Sequence, residues 1–332
     1  MHEGEVIMGK KKVVLDVDTG TDDAVAILCA AASEAFDLIG VTVTCGNLPL
    51  ANTVENTLRV VALSGRDIPV YAGCSLPMVR TLMPGRAHDV RLQTVSTVVD
   101  GEQISIHEPS FPLPPSPYTV RKAHACSFLV DTLRNAEEKV TIIGVAPLTN
   151  IAVALRMDPS IAANIEEIVV MGGSVTSGNR TPAAEANFYD DPEAAQIVLK
   201  SGCPVRIFTL EATERVPCDH EDADDFRSLG TPAGTFVGDL IDRFIHRCTQ
   251  LNICDNGQVT IHDAITVCGV IDPTIVTSLG AAACDVNLGG WADGALIADQ
   301  RSFASRESSV RIVYDIDKER CVDMMKACLS KL

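Results

Sequence analysis

The sequence predicts an α/β fold: a single large domain, residues 1–332, with a mostly parallel central sheet flanked by helices around a Rossmann-like core. Three observations carry this. Short β-branched runs alternate with Ala- and Leu-rich stretches along most of the chain. The apolar fraction of 46% against 21% charged can fill a sizeable core. No Ser/Gly linker, internal repeat or composition break divides the 332 residues.

The elements follow in order. Lys12-Val13-Val14-Leu15-Asp16 is too short for a helix and unbroken enough for a strand buried on both faces. Residues 23–33 (DAVAILCAAAS) read as a helix and Leu38 to Val43 as the next strand, completing one βαβ unit. A helix is expected near 50–64, strands near 139–144, 166–171 and 205–210, and helices near 148–156 and 191–200. Residues 84–118 have few periodic apolar positions and end in the proline-rich His107-Glu108-Pro109-Ser110-Phe111-Pro112-Leu113-Pro114-Pro115, expected to run extended on the surface as a long loop that is either functional or mobile. From 214 to 265 the pattern turns helical and acidic, and His262-Asp263-Ala264 reads as an interruption of it. Residues 1–11 are expected to be a flexible N-terminus.

Charge narrows the partners. Lys plus Arg number 27 against 44 Asp plus Glu, a formal charge of −17 that repels nucleic-acid phosphates and anionic membrane surfaces. Neither nucleic acid nor membrane is an expected partner. No apolar run approaches the roughly 20 residues needed to cross a bilayer, and MHEGEVIMGKKK lacks the apolar core of a signal peptide, so the expected location is cytoplasmic. The 12 cysteines run from Cys29 to Cys328 with no CxxC pair or tight Cys/His cluster, and are read as reduced, mostly buried thiols.

The densest chemistry is at the end of the first strand. Asp16, Asp18, Asp22 and Asp23 converge within one strand-to-helix turn around Thr19-Gly20-Thr21. A helix cap accounts for one carboxylate, not four. Four this close repel unless some are protonated or a cation sits among them, and hard oxygen ligands favour Ca²⁺ or Mg²⁺. The place beyond the carboxyl end of a parallel strand is also where α/β folds bind ligands. A second reading stays open: Asp16-Val17-Asp18-Thr19-Gly20-Thr21 resembles the DxDxT nucleophile motif of haloacid dehalogenase-like phosphohydrolases, with Asp16 as nucleophile and Asp18 as acid/base.

Further polar islands interrupt apolar surroundings: Val43-Thr44-Cys45-Gly46-Asn47; Val145-Ala146-Pro147-Leu148-Thr149-Asn150, whose strand-end carbonyls are free to accept; Met171-Gly172-Gly173 through Gly178-Asn179 to Glu185-Ala186-Asn187; and His262-Asp263-Ala264. Together, DxDxGxDDA at Asp16 to Ala24, PLTN, MGG…GN…AExN and HDA, in that order and spacing from residue 12 to about 320, resemble the nucleoside hydrolase family of the inosine-uridine-preferring type. No comparable series supports the phosphatase reading.

That resemblance implies hydrolysis of the N-glycosidic bond of ribonucleosides (inosine, guanosine, uridine) to ribose and free base, in base salvage, by a homo-oligomer (dimer or tetramer). It implies one Ca²⁺ held by Asp18, Asp23, Asp263 and the Val145 carbonyl, with Asp18 also the general base toward the water the ion activates. Asp22, Asn47, Glu185 and Asn187 would bind the ribose hydroxyls, Met171 would pack under the sugar and Asn179 would reach the 5′-hydroxyl. Asp16 would support this set by orienting a neighbour such as Asn47. His262 would serve the leaving base as acid, and His88 would be a second base-side histidine, although the family's HGxxG continuation is missing after it. The usual AEFN is Ala-Glu-Ala-Asn here, leaving Ala186 in place of an aromatic, and Trp291 lies far from the positions where the purine-specific branch carries Trp. A non-catalytic Ca²⁺-dependent ribose-binding protein is the remaining alternative.

Overall fold

The structure, a computed structural model, describes residues 9–83, 86, 96–99, 102–254, 256–303 and 307–332. Its centre is strand β1 (Lys11–Val17), fully buried from Val13 onward. Alternation along the strand divides its side chains between two cores: Val13, Leu15 and Val17 enter one, Val14 the other. A strand with helices on both sides must be apolar on both faces, which is why the run is continuous rather than alternating.

Around β1 the chain builds β2 (Phe36–Val43), β3 (Val70–Ala72), β4 (Val140–Gly144), β5 (Ile165–Met171), β6 (Val205–Phe208), β7 (Val276–Ala281) and β8 (Val310–Ile316), in the spatial order β7-β8-β6-β5-β4-β1-β2-β3. All neighbours are parallel except the β7 edge, which runs antiparallel to β8. The core order 3-2-1-4-5-6 reverses direction between β1 and β4, the crevice where doubly wound sheets bind ligands. The expected mostly parallel, Rossmann-like sheet is therefore observed.

The helices that bear on the site are α1 (Thr21–Ala32), α2 (Leu50–Leu63), α3 (Ala125–Arg134), α4 (Thr149–Met157), α5 (Pro192–Leu199), α6 (Pro232–Gln250), α7 (His262–Ile271) and α8 (Lys318–Leu329). α1 packs with α2, α6, α7 and α8 on one face; α3, α4 and α5 cover the other. α1 and α7 are buried almost all round because each is enclosed by other helices as well as by the sheet. Gly269 allows α7 that closeness: a Cβ there would lie 2.6 Å from the Phe208 ring.

Two expectations change. His262 opens α7 instead of interrupting a longer helix, because a short ribbon pairing Val259–Thr260 with Pro217–Cys218 ends the preceding helical stretch and sets the helix start. The proline-rich piece is tied down rather than loose. Phe111 is 1% exposed and edge-on to Phe236, with ring centroids 5.6 Å apart. Arg59 donates to the Phe111 and Leu113 carbonyls at 2.9 and 2.7 Å, and Glu108 pairs with Arg243 and Arg247, both at 3.1 Å. Upstream, Ser96–Val99 and Glu102–Ser105 form an antiparallel hairpin. Strands β7 and β8 and helix α8 complete the fold beyond the last predicted element. No helix among the described residues is long and apolar enough to cross a membrane.

A buried ion cluster locks the 290s loop onto the helix Ala186–Asp190. Asp293 accepts from Arg80 at 2.8 Å and from Arg86 at 2.9 and 3.0 Å, and Arg80, itself 1% exposed, stacks on Tyr189 at 3.8 Å. Removing the carboxylate strands the buried Arg80 guanidinium and leaves Arg86 only its pair with Glu193. Asp293→Ala should therefore cost about 3–5 kcal/mol in denaturant unfolding, whereas Asp299→Ala, which breaks the exposed pair with Arg301, should cost below about 1 kcal/mol; equal losses would refute the assignment.

Candidate functional site

A cleft of about 540 Å³ opens beyond the carboxyl ends of β1, β2, β4 and β5. It sits at the topological switch point. A second hollow, at the amino ends of the strands, is lined mostly by Lys11, Lys12, Glu138 and similar surface residues and gathers no convergent chemistry.

The floor of the cleft is carboxylate. Asp22, Asp23 and Asp263 bring ligand oxygens within 4.8 Å of one another, and Asp18 lies within electrostatic reach of all three. Asp23 is fixed by the turn that precedes α1: its Oδ1 accepts from the Asp18 amide at 3.0 Å, and its Oδ2 from the Gly20 amide at 2.9 Å and from Asn47 Nδ2 at 3.3 Å. Asp18 Oδ2 accepts from the Asn47 amide in a very short hydrogen bond, while Asp18 Oδ1 is buried without a hydrogen-bond partner. Gly46 makes this approach possible, since a Cβ there would fall 2.2 Å from Asp18 Oδ2.

Burial raises every one of these acids. Asp22 moves up to about 7, first through desolvation and then through Asp23; Asp18 and Asp263 are raised well above the ordinary carboxylate range and Asp23 is raised as well, all chiefly by desolvation. Two ionised carboxylates at 4.8 Å repel by roughly 3 kcal/mol at an effective dielectric near 20. A partnerless buried oxygen on Asp18, three converging acids and the neighbouring strand-end carbonyl of Val145 form the all-oxygen donor set of a hard divalent cation. The residues fit such an ion.

Asp16 stands apart. It is 0% exposed, its Oδ1 accepting from Thr42 Oγ1 at 2.5 Å and from Asn150 Nδ2 at 2.8 Å, and desolvation raises it to about 7. The neighbours it holds are thus Thr42 and Asn150 rather than Asn47. Sealed in this way, it is out of reach of a phosphate monoester, which removes the geometric basis of the phosphatase reading.

The wall opposite is built from the turn after β5. Glu185 caps the helix Ala186–Asp190, accepting from the amides of Asn187 at 2.8 Å, Phe188 at 3.1 Å and Gly173 at 2.9 Å. Even so, burial lifts it to about 7. Asn187 Nδ2 donates to the carbonyls of Val145 at 3.3 Å and Met171 at 3.2 Å, and Asn179 Oδ1 accepts from the Ala186 amide at 3.0 Å. Met171 and Ala186 both line the cleft.

At the outer end His262 Nδ1 lies 2.7 Å from Thr213 Oγ1, and burial lowers the imidazole to about 4. Trp291 is wholly exposed on a remote turn and lines no part of the cleft. His88 lies outside the described residues, as do its neighbours 84, 85 and 87–95.

The structure thus brings together Asp18, Asp22, Asp23, Asn47, Val145, Met171, Asn179, Glu185, Asn187, His262 and Asp263, all named from the sequence. It also adds residues that sequence reading missed. His107 enters the cleft with Nδ1 3.3 Å from both the amide and the hydroxyl of Thr21, its pKa lowered to about 4 by burial and then by Arg180 and Arg247. Arg180 pairs with Asp190 at 3.2 Å, and burial raises Asp190 to about 6. The only sequence signal for His107 was its place as the first residue of the proline-rich piece, taken there as loop; Arg180 and Asp190 carried none.

Comparison with known proteins agrees with this geometry. Residues 13–323 match the family described as inosine-uridine preferring nucleoside hydrolase. The pyrimidine-specific ribonucleoside hydrolase RihA of Escherichia coli is 33% identical over 316 residues, covering 94% of this chain and 96% of that protein. A purine-preferring ribonucleoside hydrolase from Gardnerella vaginalis superposes with a TM-score of 0.82 at 28% identity, over 96% of this chain and 98% of that one. The inosine-uridine preferring nucleoside hydrolase of Bacillus anthracis, at 23% identity and a TM-score of 0.74 over 97% of this chain and all of that one, shares the fold. With the family match running through nearly the whole chain and its motifs gathered in one cleft, the chain belongs to the inosine-uridine preferring nucleoside hydrolase family and is a ribonucleoside hydrolase.

Proposed function

We propose that the protein hydrolyses the N-glycosidic bond of pyrimidine ribonucleosides, uridine and cytidine before inosine and guanosine, in a Ca²⁺-dependent reaction serving base salvage in the cytoplasm. The observation that carries it is the convergence of Asp18, Asp22, Asp23 and Asp263 at the switch point, with one Asp18 oxygen buried and partnerless. The pyrimidine preference rests on the RihA relative and on a cleft without Trp to sandwich a purine. A homo-oligomer, dimer or tetramer, is the expected assembly.

Asp18, Asp23, Asp263 and the Val145 carbonyl would hold Ca²⁺, which when bound lowers the pKa of a coordinated water and leaves seats for ribose hydroxyls. Asp18 takes the proton of the water that attacks the anomeric carbon. Asp22, Asn47, Glu185 and Asn187 hold the ribose. Three of the roughly four acceptor sites on the Glu185 carboxylate are filled by amides, leaving one for a hydroxyl. Met171 supports the sugar from below and Asn179 reaches the 5′-hydroxyl, while the nearby negative charge stabilises an oxocarbenium-like transition state.

The leaving base must gain a proton or a hydrogen bond. When the Thr213 hydroxyl donates to Nδ1 instead of to the Thr209 or Leu210 carbonyls, 3.3 and 3.4 Å away, the neutral imidazole would carry its hydrogen on Nε2 and His262 would act as a donor without first being charged. His107 adds a second imidazole to the lining of the cleft, in the role the sequence suggested for His88.

Ribose release should be assayed on uridine, cytidine, inosine and adenosine, before and after chelation. The highest kcat/KM should fall on uridine or cytidine and Ca²⁺ should restore the chelated enzyme; inosine leading, or activity surviving complete removal of metal, would overturn the corresponding part. His262→Ala should slow uridine by about 100-fold or more while slowing p-nitrophenyl riboside, whose leaving group needs no proton, far less; equal losses on both would leave His262 a positioning residue only.

The raised acids also make stability depend on pH. Their folded pKa values lie above the ordinary 3.8 of Asp and 4.5 of Glu, so the folded state keeps protons that the unfolded chain releases. For the metal-free protein this contribution is complete below about pH 4 and is lost as pH rises through about 7. Ca²⁺ should accordingly raise the melting temperature strongly at pH 8 and only slightly at pH 5; the same increment at both values would show that the carboxylates are not its ligands.

A further inference from the structure

Most of the 12 cysteines are what a folded interior makes of thiols. Cys29, Cys268, Cys321 and Cys328 lie in one core, each at most 4% exposed, with no imidazole among the described residues placed to share a metal with them. Cys74 and Cys126 are different. Cys74 follows β3 and is partly exposed; Cys126 stands in the first turn of α3 and is buried; exposed His124 is the residue that caps that helix. Although Cys74 and Cys126 are far apart in sequence, each of the three residues has a ligand atom within 4.8 Å of the other two. This is the tight Cys/His cluster that the linear sequence does not show.

We propose that Cys74, Cys126 and His124 form a second cation site, separate from the aspartate cleft, that takes zinc through two thiolates and one imidazole. The two Sγ atoms are 3.8 Å apart. Tetrahedral coordination with Zn–S bonds of about 2.3 Å places two thiolate sulfurs about 3.8 Å apart, so this edge of the site already has its bound length. A disulfide would need about 2.05 Å. Two soft sulfurs with one imidazole select zinc over the hard cations that suit the aspartates. The exposed side of His124 leaves the fourth position to water.

The place of the site in the fold supplies its consequence. Asn150 Oδ1 accepts from the Cys74 amide at 2.9 Å and faces Cys126 Sγ at 3.9 Å, while Asn150 Nδ2 donates to Asp16. The Cys74 carbonyl accepts from the Cys45 amide at 3.0 Å and from Thr44 Oγ1 at 3.1 Å, in the same turn that carries Asn47. Zinc here would staple the end of β3 to the start of α3 and hold the backing of the aspartate cluster in place.

The test is a titration of metal-free, fully reduced protein with Co²⁺, followed in the near ultraviolet. Oxygen ligands of the cleft give no sulfur-to-cobalt charge-transfer band, so the band reports thiolate ligation, and the variants assign it to this site. The wild-type protein should develop it to one equivalent and lose it on adding Zn²⁺. Cys74→Ser and Cys126→Ser should each abolish the one-equivalent band, and His124→Ala should weaken cobalt binding by at least about 10-fold. No band in the wild type, a band that Zn²⁺ does not displace, or an undiminished band in either serine variant would overturn the proposal. If Cys126→Ser does not fold, the partly exposed Cys74 and exposed His124 variants still decide it.

Discussion

Mutual repulsion among buried carboxylates at the end of one strand is the constraint on which the rest of this structure depends. Asp16, Asp18, Asp22, Asp23 and Asp263 are all withdrawn from water, and burial alone pushes each toward its neutral form. The fold answers with backbone amides aimed at Asp23, the Asn47 amide on Asp18, and Thr42 with Asn150 beneath Asp16. These donors orient the acids without neutralising them. What remains is a concentration of acidic oxygens that suits a divalent cation.

The surrounding elements serve that arrangement. β1 and β4 diverge at the switch point, so the crevice exists before any side chain is placed in it. α7 brings Asp263 to the same spot as Asp23 because α1 and α7 pack face to face, and Gly269 keeps α7 close to Phe208. On the opposite wall, the Asp293 cluster with Arg80 and Arg86 holds the helix that carries Asn187. A second polar layer, running through Asn150 to Cys74 and Cys126, lies directly behind Asp16. Precision at the acids is inherited from packing well away from them.

The leaving-group end is governed differently. There burial lowers both histidines, and among the described residues Phe244, stacked against His107, is the aromatic that lines the cleft. Ala186 stands where the family's motif carries an aromatic, and His107, Arg180 and Asp190 supply polar contacts instead. The acidic half of the cleft is built from strand ends and helix starts, and the outer half largely from loops, where binding specificity commonly resides.

By itself the sequence determined everything that depends on local spacing. The β-branched run into Asp16 announced a buried strand, the alternation of runs announced the parallel sheet, and the order of DxDxGxDDA, PLTN, AExN and HDA named acids and amides that meet in one cleft. Tertiary structure alone decided what depends on contacts between distant segments: that Asp16 leans on Thr42 and Asn150, that Thr213 backs His262, that His107 reaches Thr21, and that two scattered cysteines meet a histidine. The physical reason is periodicity. Strand and helix repeats write themselves into neighbouring residues, whereas a side-chain contact across 50 or 130 positions leaves no trace until the sheet order brings its two ends together.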